Sequence, residues 1–286
     1  MVRVGIMTDS LRLPVREAIR RARELGAEGL QMYAVDGEMS PENLSSAARK
    51  DLVAFIRSEG LIVAAICGDL GGHGFAVARD NPGKIDRSKR IMELAKDLGT
   101  DVVTTHIGVV PEDETDPTYA ILHDACTKLG EFGDSMDATF AIETGPEPAA
   151  RLGGFIRSLP CDGVRVNFDP ANLVMVIGED PVAAVHAVGD LIVHTHAKDG
   201  VMLKKTDPAT IYRAFAEGGI EDFRLEEYFR EVPLGEGAVK FDEYLAALAD
   251  VGYDGFLTIE REVGEDPDAD IGLAVEFLHE AIVRAK

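Results

Sequence analysis

Residues 85–106, IDRSKRIMELAKDLGTDVVTTH, contain the pattern that decides the fold. The amphipathic run predicts a helix over Ile85–Leu98, and the β-branched run after it predicts a strand over Val102–His106. Gly99 lies between them, where a helix must stop before the next strand begins. The stretch therefore predicts one helix–strand unit of an α/β protein.

The same unit recurs along the chain, with similar helix endings at Leu25-Gly26-Ala27-Glu28-Gly29 and Val251-Gly252-Tyr253-Asp254-Gly255. The predicted strands are Val2–Met7, Gly29–Met32, Leu61–Cys67, Val102–His106, Thr139–Glu143, Val164–Asp169, Leu191–His196 and Phe256–Glu260. The predicted helices include Val15–Leu25, Asp51–Glu59, Ile85–Leu98, Tyr119–Met136, Pro181–Val188, Phe241–Val251 and Ile271–Arg284.

Eight such units in 286 residues favour a single-domain (β/α)8 TIM barrel spanning 1–286. A doubly wound open sheet is the alternative, but no Gly-x-Gly-x-x-Gly follows the first strand. More than forty residues separate His196 from Phe241. This length predicts a partly helical insertion between the seventh and eighth strands, approximately 205–232, lying over the C-terminal face, where loops shape active sites.

Composition narrows the class of protein. The formal net charge of −22 opposes binding to nucleic acid, because a field of that sign repels phosphodiesters. No apolar stretch is long enough to span a membrane, and the first residues lack signal-peptide features. We therefore expect a cytoplasmic protein with no membrane partner, and a homo-oligomer is compatible with the sequence. The three cysteines are widely spaced and are expected to be buried hydrophobic residues.

Four successive strands end in side chains that can bind a metal: Glu143, Asp169, His196 and Glu260. The bulky neighbours Ile142 and Ile259 have the opposite parity, so they are expected to point outward and the four ligand side chains inward. Adjacent strands lie ~4.8 Å apart, so the four side chains can converge on one ion. Three carboxylates and one imidazole suit one divalent metal ion, Mn²⁺ first, with Mg²⁺, Co²⁺ and Zn²⁺ as alternatives.

At these motifs the chain resembles the xylose isomerase-like TIM barrel superfamily, in particular its sugar (and sugar-phosphate) isomerase/epimerase group, which includes ketose 3-epimerases and inosose enzymes. The resemblance covers nearly the whole chain. Its strongest motifs are Ile142-Glu143-Thr144, Phe168-Asp169-Pro170-Ala171-Asn172, His194-Thr195-His196-Ala197-Lys198-Asp199, Pro233-Leu234-Gly235-Glu236-Gly237 and Thr258-Ile259-Glu260. The resemblance implies that Glu143, Asp169, His196 and Glu260 bind the metal, and that Glu143 and Glu260 also transfer protons.

The chain departs from the family pattern at two positions. Asn172 stands where many relatives have His, and Gln31 stands where relatives carry Glu at the end of the second strand. The Trp residues common in ketose epimerase pockets are absent, since the chain has no Trp. Membership of the family is therefore a firmer prediction than any particular substrate.

Four further residues are predicted to bind substrate: His106, Asn172, Lys198 and His73. Lys198 is expected either to polarise a carbonyl or to pair with Asp199 or another acid. His194 is expected to support the site from below or to be a core residue. Gly235-Glu236-Gly237 is interpreted as a tight turn, because the Glu opposes an anion site.

These residues predict a metal-dependent sugar isomerase/epimerase that transfers a proton next to a carbonyl through an enediolate. The expected partner is a small-molecule sugar or polyol. An inosose-type dehydratase is the first alternative. An endonuclease IV-like DNA repair nuclease of the same fold is disfavoured by Gln31 and by the net charge, and a non-catalytic sugar-binding barrel is disfavoured by the intact ligand set.

Overall fold

The computed structural model describes residues 2–221 and 223–285. Its strands are β1 (Arg3–Met7), β2 (Gly29–Tyr33), β3 (Ile62–Cys67), β4 (Val102–Thr105), β5 (Thr139–Glu143), β6 (Val164–Phe168), β7 (Ile192–Ala197), β8 (Asp199–Met202), β9 (Phe229–Val232) and β10 (Phe256–Ile259). Eight of them form a closed parallel barrel in the order β1-β10-β7-β6-β5-β4-β3-β2. The prediction of a single-domain (β/α)8 barrel is confirmed.

Helices alternate with the strands, and most of them surround the barrel and bury their apolar faces against it. They are α1 (Val15–Leu25), α2 (Ser46–Ser58), α3 (Asn81–Leu98), α4 (Pro117–Met136), α5 (Ala149–Ser158), α6 (Pro170–Asn172), α7 (Pro181–Val188), α8 (Pro208–Ala216), α9 (Phe241–Asp250) and α10 (Pro267–Arg284). Within the described residues, no helix has the length and apolarity needed to cross a bilayer.

Several helices begin before the predicted start. Helix α2 begins at Ser46, where the Ser45 hydroxyl accepts a hydrogen bond from the Ala48 N–H at 3.3 Å. Helices α4 and α10 begin at Pro117 and Pro267, with an Asp side chain capping each. Apolar periodicity marks the buried face of a helix, whereas caps and prolines specify its first turn, so predictions based on periodicity start too late.

Barrel closure joins distant parts of the chain. Strand β1 pairs in parallel with β10, with Arg3 opposite Phe256 and Ile6 opposite Ile259. Gly29 in β2 leaves room for the Phe256 ring, because a Cβ at that position would lie 2.3 Å from the ring. A larger residue at 29 would therefore push β2 away from the closing strand.

A subdomain of β8, α8, a short 3₁₀ turn (Leu225–Glu227) and β9 separates β7 from α9. Strands β8 and β9 pair antiparallel, with Asp199 opposite Val232 and Met202 opposite Phe229. We refer to residues 199–232 as the insertion. It lies at the end of the barrel where β7 finishes, and its side chains line the main cavity.

Candidate metal centre

The candidate centre is built from one end of four adjacent strands. Glu143 ends β5, Asp169 follows β6 directly, His196 lies in β7 and Glu260 follows β10 directly. Because β5, β6, β7 and β10 are neighbours in the barrel, these side chains converge. One ligand atom from each lies within 4.8 Å of those of the other three. None of the four residues is more than 7 % exposed.

His196 directs one ring nitrogen at the three carboxylates. Its Nδ1 lies 3.3 Å from Asp169 Oδ2, 3.3 Å from Glu260 Oε2 and 3.7 Å from Glu143 Oε1. Burial lowers the pKa of His196, but Glu260 and Glu143 raise it by more, so the net pKa lies well above its ordinary value. The side chains around this nitrogen therefore favour positive charge at the centre.

The other ring nitrogen is held from below by Gln31. Gln31 Nε2 donates to the Thr104 hydroxyl at 3.0 Å, which orients the amide. Gln31 Oε1 then lies 3.2 Å from His196 Nε2 and 2.8 Å from His194 Nε2, where it can accept from both rings. With Gln31 Oε1 as the acceptor, a neutral His196 carries its proton on Nε2 and turns the Nδ1 lone pair toward the carboxylates. Asn167 Nδ2 also lies 3.3 Å from Nε2.

Amide side chains hold Glu143 on both of its oxygens. Asn167 Nδ2 donates to Oε2 at 3.0 Å, and Asn172 Nδ2 donates to Oε1 at 2.9 Å. Burial raises the pKa of Glu143, and His106 and His196 offset part of this increase. Asn172 also donates its backbone N–H to Asp169 Oδ1 at 2.9 Å. The residue that replaces the family's His thus positions two of the carboxylates.

An ammonium group holds Glu260. Lys198 Nζ donates to Glu260 Oε2 at 2.9 Å, also pairs with Glu262, and lies 3.9 Å from Glu231 Oε2. Burial raises the pKa of Glu260, but Lys198 and His196 lower it by more. Likewise burial lowers the pKa of Lys198, but Glu260 and Glu262 raise it by more, so the net pKa lies well above its ordinary value. Of the two roles considered for Lys198, the structure contains the ion pair, and the partners are Glu260 and Glu262.

Asp199 is instead bound by the backbone. Its carboxylate accepts hydrogen bonds from the N–H groups of Gly200, Gly235, Gly237 and Val239 at 2.8–3.1 Å. The segment Gly235-Glu236-Gly237 is therefore a turn wrapped around a carboxylate of the same chain. A Cβ on Gly237 would lie 2.0 Å from Asp199 Oδ1, so the close approach requires glycine.

His106 stands at the edge of the centre, and Asp69 orients it. Asp69 Oδ2 lies 2.9 Å from His106 Nδ1, and His106 Nε2 lies 3.5 Å from Glu143 Oε1. Burial lowers the pKa of His106, but Glu143 and Asp69 raise it to about 10. Sequence reasoning missed Asp69 because it follows β3 in a glycine-rich loop, and only the fold brings it to His106.

His73 lies further out, in the loop after Asp69. Its side chain is 47 % exposed and its Nε2 lies 4.0 Å from Glu217 Oε1. Lys84 Nζ fixes the loop by donating to the carbonyls of Gly71 and Gly74 at 2.8 and 2.6 Å. His73 therefore lines the mouth rather than the floor.

A cavity of about 750 Å³ opens above the centre. The residues predicted to bind substrate all line it, as do both glutamates: His73, His106, Glu143, Asn172, Lys198 and Glu260. Its size lies within the range of roughly 300–1,000 Å³ typical of small-molecule sites.

The donor set fits a divalent cation. Three carboxylates and one imidazole nitrogen, all buried, are aimed at one point. Buried carboxylates repel one another and lose hydration, so a cation among them offsets a large electrostatic cost. The four residues could therefore hold one metal ion.

Comparison with known proteins agrees with this architecture. Residues 19–281 match the model of the xylose isomerase-like TIM barrel family. An inosose dehydratase of Lacticaseibacillus casei is 28% identical over 157 residues, which cover 54% of this chain and 49% of that protein. The chain thus matches about half the length of this curated relative.

Solved structures share the whole fold. A xylose isomerase domain protein from Planctomyces limnophilus superposes with a TM-score of 0.79 at 24% identity, covering 99% of this chain and 97% of that one. A D-tagatose 3-epimerase-like protein superposes with a TM-score of 0.73 at 16% identity, with both chains covered completely. A xylose isomerase-like TIM barrel protein from Mycobacterium smegmatis, solved in complex with magnesium, superposes with a TM-score of 0.72 at 16% identity. The superposition covers 99% of this chain and 97% of that one. At these identities the likeness shows the fold alone. The match to the family model, which extends over most of the sequence, establishes that the chain belongs to the xylose isomerase-like TIM barrel family.

Proposed function

We propose that this protein is a divalent-metal-dependent sugar isomerase or epimerase that transfers a proton next to a carbonyl. One observation carries the proposal: Glu143 and Glu260 stand at the two ends of a four-strand arc, with Asp169 and His196 between them, on the floor of one cavity. Two carboxylates flanking a bound substrate are the arrangement that proton removal and return require. The sugar epimerase-like and inosose dehydratase proteins to which the chain is similar support this class of chemistry.

Glu143, Asp169, His196 and Glu260 would hold the ion. When bound, a divalent ion supplies positive charge that acidifies the carbon next to a carbonyl and stabilises the enediolate oxygen. Gln31 sets the His196 ring so that Nδ1 is available as a donor. Such supporting contacts matter because they orient the donor atoms of a metal site.

The proton chemistry belongs to Glu143 and Glu260. One carboxylate removes the proton from the carbon next to the carbonyl, and the other returns a proton to the enediolate. Asn167 and Asn172 fix the Glu143 carboxylate, and Lys198 fixes that of Glu260. Return to the opposite face of the same carbon gives an epimer, and return to the neighbouring carbon gives an aldose–ketose isomer.

The remaining polar side chains on the cavity wall bind the substrate. His106 presents Nε2 beside Glu143, where it can donate to a hydroxyl oxygen. Asn172 and Lys198, which follow the neighbouring strands β6 and β7, reach the same space, and His73 contacts the distal end from the mouth. The proposed ligand is a small sugar or polyol.

A second candidate is an inosose-type dehydratase, which the likeness to the Lacticaseibacillus casei protein favours. The first step, proton removal next to a carbonyl, is shared. The reactions diverge when the hydroxyl one carbon further on leaves as water, taking a proton from an acid of the site. A product lighter than the substrate by one water distinguishes this outcome from isomerisation.

The test is turnover in deuterated water. A screen of metal-replete enzyme over ketoses, ketose phosphates and inososes identifies an active substrate. Proton transfer predicts deuterium at the carbon next to the carbonyl, measured by NMR at low conversion. Turnover that leaves the product free of label would contradict the role of Glu143 and Glu260 and favour a hydride shift between carbons.

A further inference from the structure

A row of aromatic rings leads away from the candidate centre. The ring centroids of His106 and Tyr212 lie 5.8 Å apart, those of Tyr212 and Phe215 6.3 Å, and those of Phe215 and Phe229 6.3 Å. The row begins beside Glu143, which His106 Nε2 approaches at 3.5 Å. It ends on the insertion, since Tyr212 and Phe215 lie in α8 and Phe229 in β9.

Most of the rest of the outer cavity wall is also apolar, although Arg213, Glu226 and Arg230 line the cavity as well. Met175 and Val176, from the π-helical turn after Asn172, and Leu225 from the insertion line the same space. A single sugar ring fills only a fraction of a cavity of about 750 Å³, which lies in the upper half of the range of roughly 300–1,000 Å³ for pockets that enclose drug-sized ligands. Bound at the carboxylates, such a ring would leave the outer wall uncovered.

Within the described residues, no side chain shields Phe215, at the outer part of this wall, from solvent. It is 56 % exposed, although it lines the cavity and neighbours two other aromatic rings. A large apolar side chain at the mouth of a polar site gains free energy only when something apolar covers it. Its neighbours Tyr212 and Phe229 are half-buried, so Phe215 is the most exposed ring of the row.

We infer that the natural substrate is a keto-sugar that carries an aromatic ring as a substituent, an aryl glycoside in chemical class. The sugar ring would lie at the carboxylates and the aromatic substituent against Tyr212, Phe215 and Phe229. A planar apolar ring matches this wall better than a second sugar, because the wall presents mainly ring faces and aliphatic groups, and sugar hydroxyls need hydrogen-bond partners. The sugar part of this substrate rests on the proposed function, whereas the aromatic substituent rests on the apolar wall alone.

Calorimetric titration of the metal-replete protein tests the inference, with phenyl β-D-glucopyranoside, methyl β-D-glucopyranoside and cellobiose as non-reacting probes. The phenyl glycoside should bind about tenfold or more tightly than the methyl glycoside, since its aromatic ring is removed from water against the wall. Phe215→Ala combined with Phe229→Ala should remove most of this preference. Phe223→Ala is the matched control: Phe223 also lies in the insertion but stacks on Tyr228, with centroids 4.5 Å apart, and does not line the cavity.

Three binding results would overturn the inference. They are equal affinity for the phenyl and methyl glycosides, cellobiose binding as tightly as the phenyl glycoside, and a preference that survives the double substitution. A change of oligomeric state in Phe215→Ala, measured by light scattering, would also overturn it, because a second copy would then be the cover. Turnover of free ketoses without a phenyl preference refutes only this inference, whereas a phenyl preference without turnover of any keto-sugar refutes only the proposed function.

Discussion

At the scale of single residues, the candidate centre places two identical side chains in different surroundings. Glu143 is held by the amides of Asn167 and Asn172, whereas Glu260 is held by the ammonium of Lys198. Neutral donors leave the basicity of a carboxylate higher than a cationic donor does. The two glutamates are therefore chemically distinct, which suits a pair that removes a proton on one side and returns it on the other.

Replacing either glutamate should abolish turnover. Glu143→Gln and Glu260→Gln keep the size of the side chain but remove a metal donor and the group that carries the proton. We expect a loss of kcat of at least about 10²–10⁴-fold, the contribution typical of general acid–base catalysis. Glu114→Gln, an exposed residue in the loop after β4, is the control and should be indistinguishable from wild type. Near-normal kcat in either site variant would show that the pair has been misassigned.

The strand ends predict the four residues of the candidate centre but not the side chains that hold the surrounding residues in place. Glu143, Asp169, His196 and Glu260 could be predicted because each ends a recognisable strand and barrel topology aligns strand ends. Asp69 and Glu231 lie in a loop and in the insertion, and their partners, His106 and Arg261, are far away in sequence. Such contacts depend on tertiary packing, which leaves no periodic signal.

Glu147 makes stability depend on pH. It is 2 % exposed and accepts the Val110 N–H at 2.9 Å, and burial raises its pKa from 4.5 to about 8. Between these two values the folded protein binds a proton that the unfolded chain releases, so the free energy of unfolding falls as pH rises. Glu147→Gln keeps the acceptor oxygen and removes the titration. We expect wild type to lose roughly 3–4 kcal/mol more than this variant between pH 5 and pH 8, in urea unfolding.

The matched control for this comparison is Glu112→Gln. Glu112 forms an ion pair with Arg151 at 3.2 Å from a position whose side chain is 88 % exposed, and Arg151 also lies near Glu147. This variant should keep the wild-type pH dependence. Parallel stability curves for wild type and Glu147→Gln would rule out a buried, protonated Glu147.

At the scale of elements, the predictions failed where a segment depends on distant partners. Helix α5 was not among the predicted helices, because Gly153 and Gly154 weaken the helical pattern. Gly153 is required by packing against α7: a Cβ there would lie 2.8 Å from Val188 Cγ1. The β8–β9 pair was not predicted either, because its strands are short and lie on either side of α8.

The carboxylate of Asp199 should stabilise the base of the insertion. Its four backbone donors come from β8 and from the segment before α9, so they tie the two ends of the insertion together. Asp199→Asn places an NH₂ group against N–H donors, and we expect a loss of about 1–3 kcal/mol for the donors left without an acceptor. Hydrogen exchange should speed up first at residues 199–202 and 233–239. Unchanged exchange in both segments would count against this role.

At the scale of the whole molecule, the fold could be read from repetition alone. Eight strand–helix units imply the barrel, and the barrel then aligns the strand ends, so fold and centre follow from the same pattern. The cavity wall could not be predicted, because Tyr212, Phe215 and Phe229 belong to a segment with no place in the repeat. A repeat predicts what every unit shares, and the wall is specific to one unit.

Metal content is the prediction that concerns the molecule as a whole. Purified protein should contain about one divalent ion per chain, lose it to a chelator, and regain activity with Mn²⁺ or Co²⁺. An ion that binds only the folded chain stabilises it by about 2.7 kcal/mol at 100 times its Kd, so Tm should rise on metal addition. Asp169→Asn should blunt this rise. Three tightly held zinc ions by elemental analysis would instead indicate nuclease chemistry.

The pairing of β1 with β10 also has a consequence for biosynthesis. The ribosome makes β1 first, but its barrel neighbour β10 emerges more than two hundred residues later, and Glu260 follows that strand directly. A nascent chain that already displays Glu143, Asp169 and His196 therefore has an open barrel and an incomplete donor set. Closure and the fourth ligand arrive in one event, so under the proposed function a nascent chain gains its complete donor set only after β10 has been made.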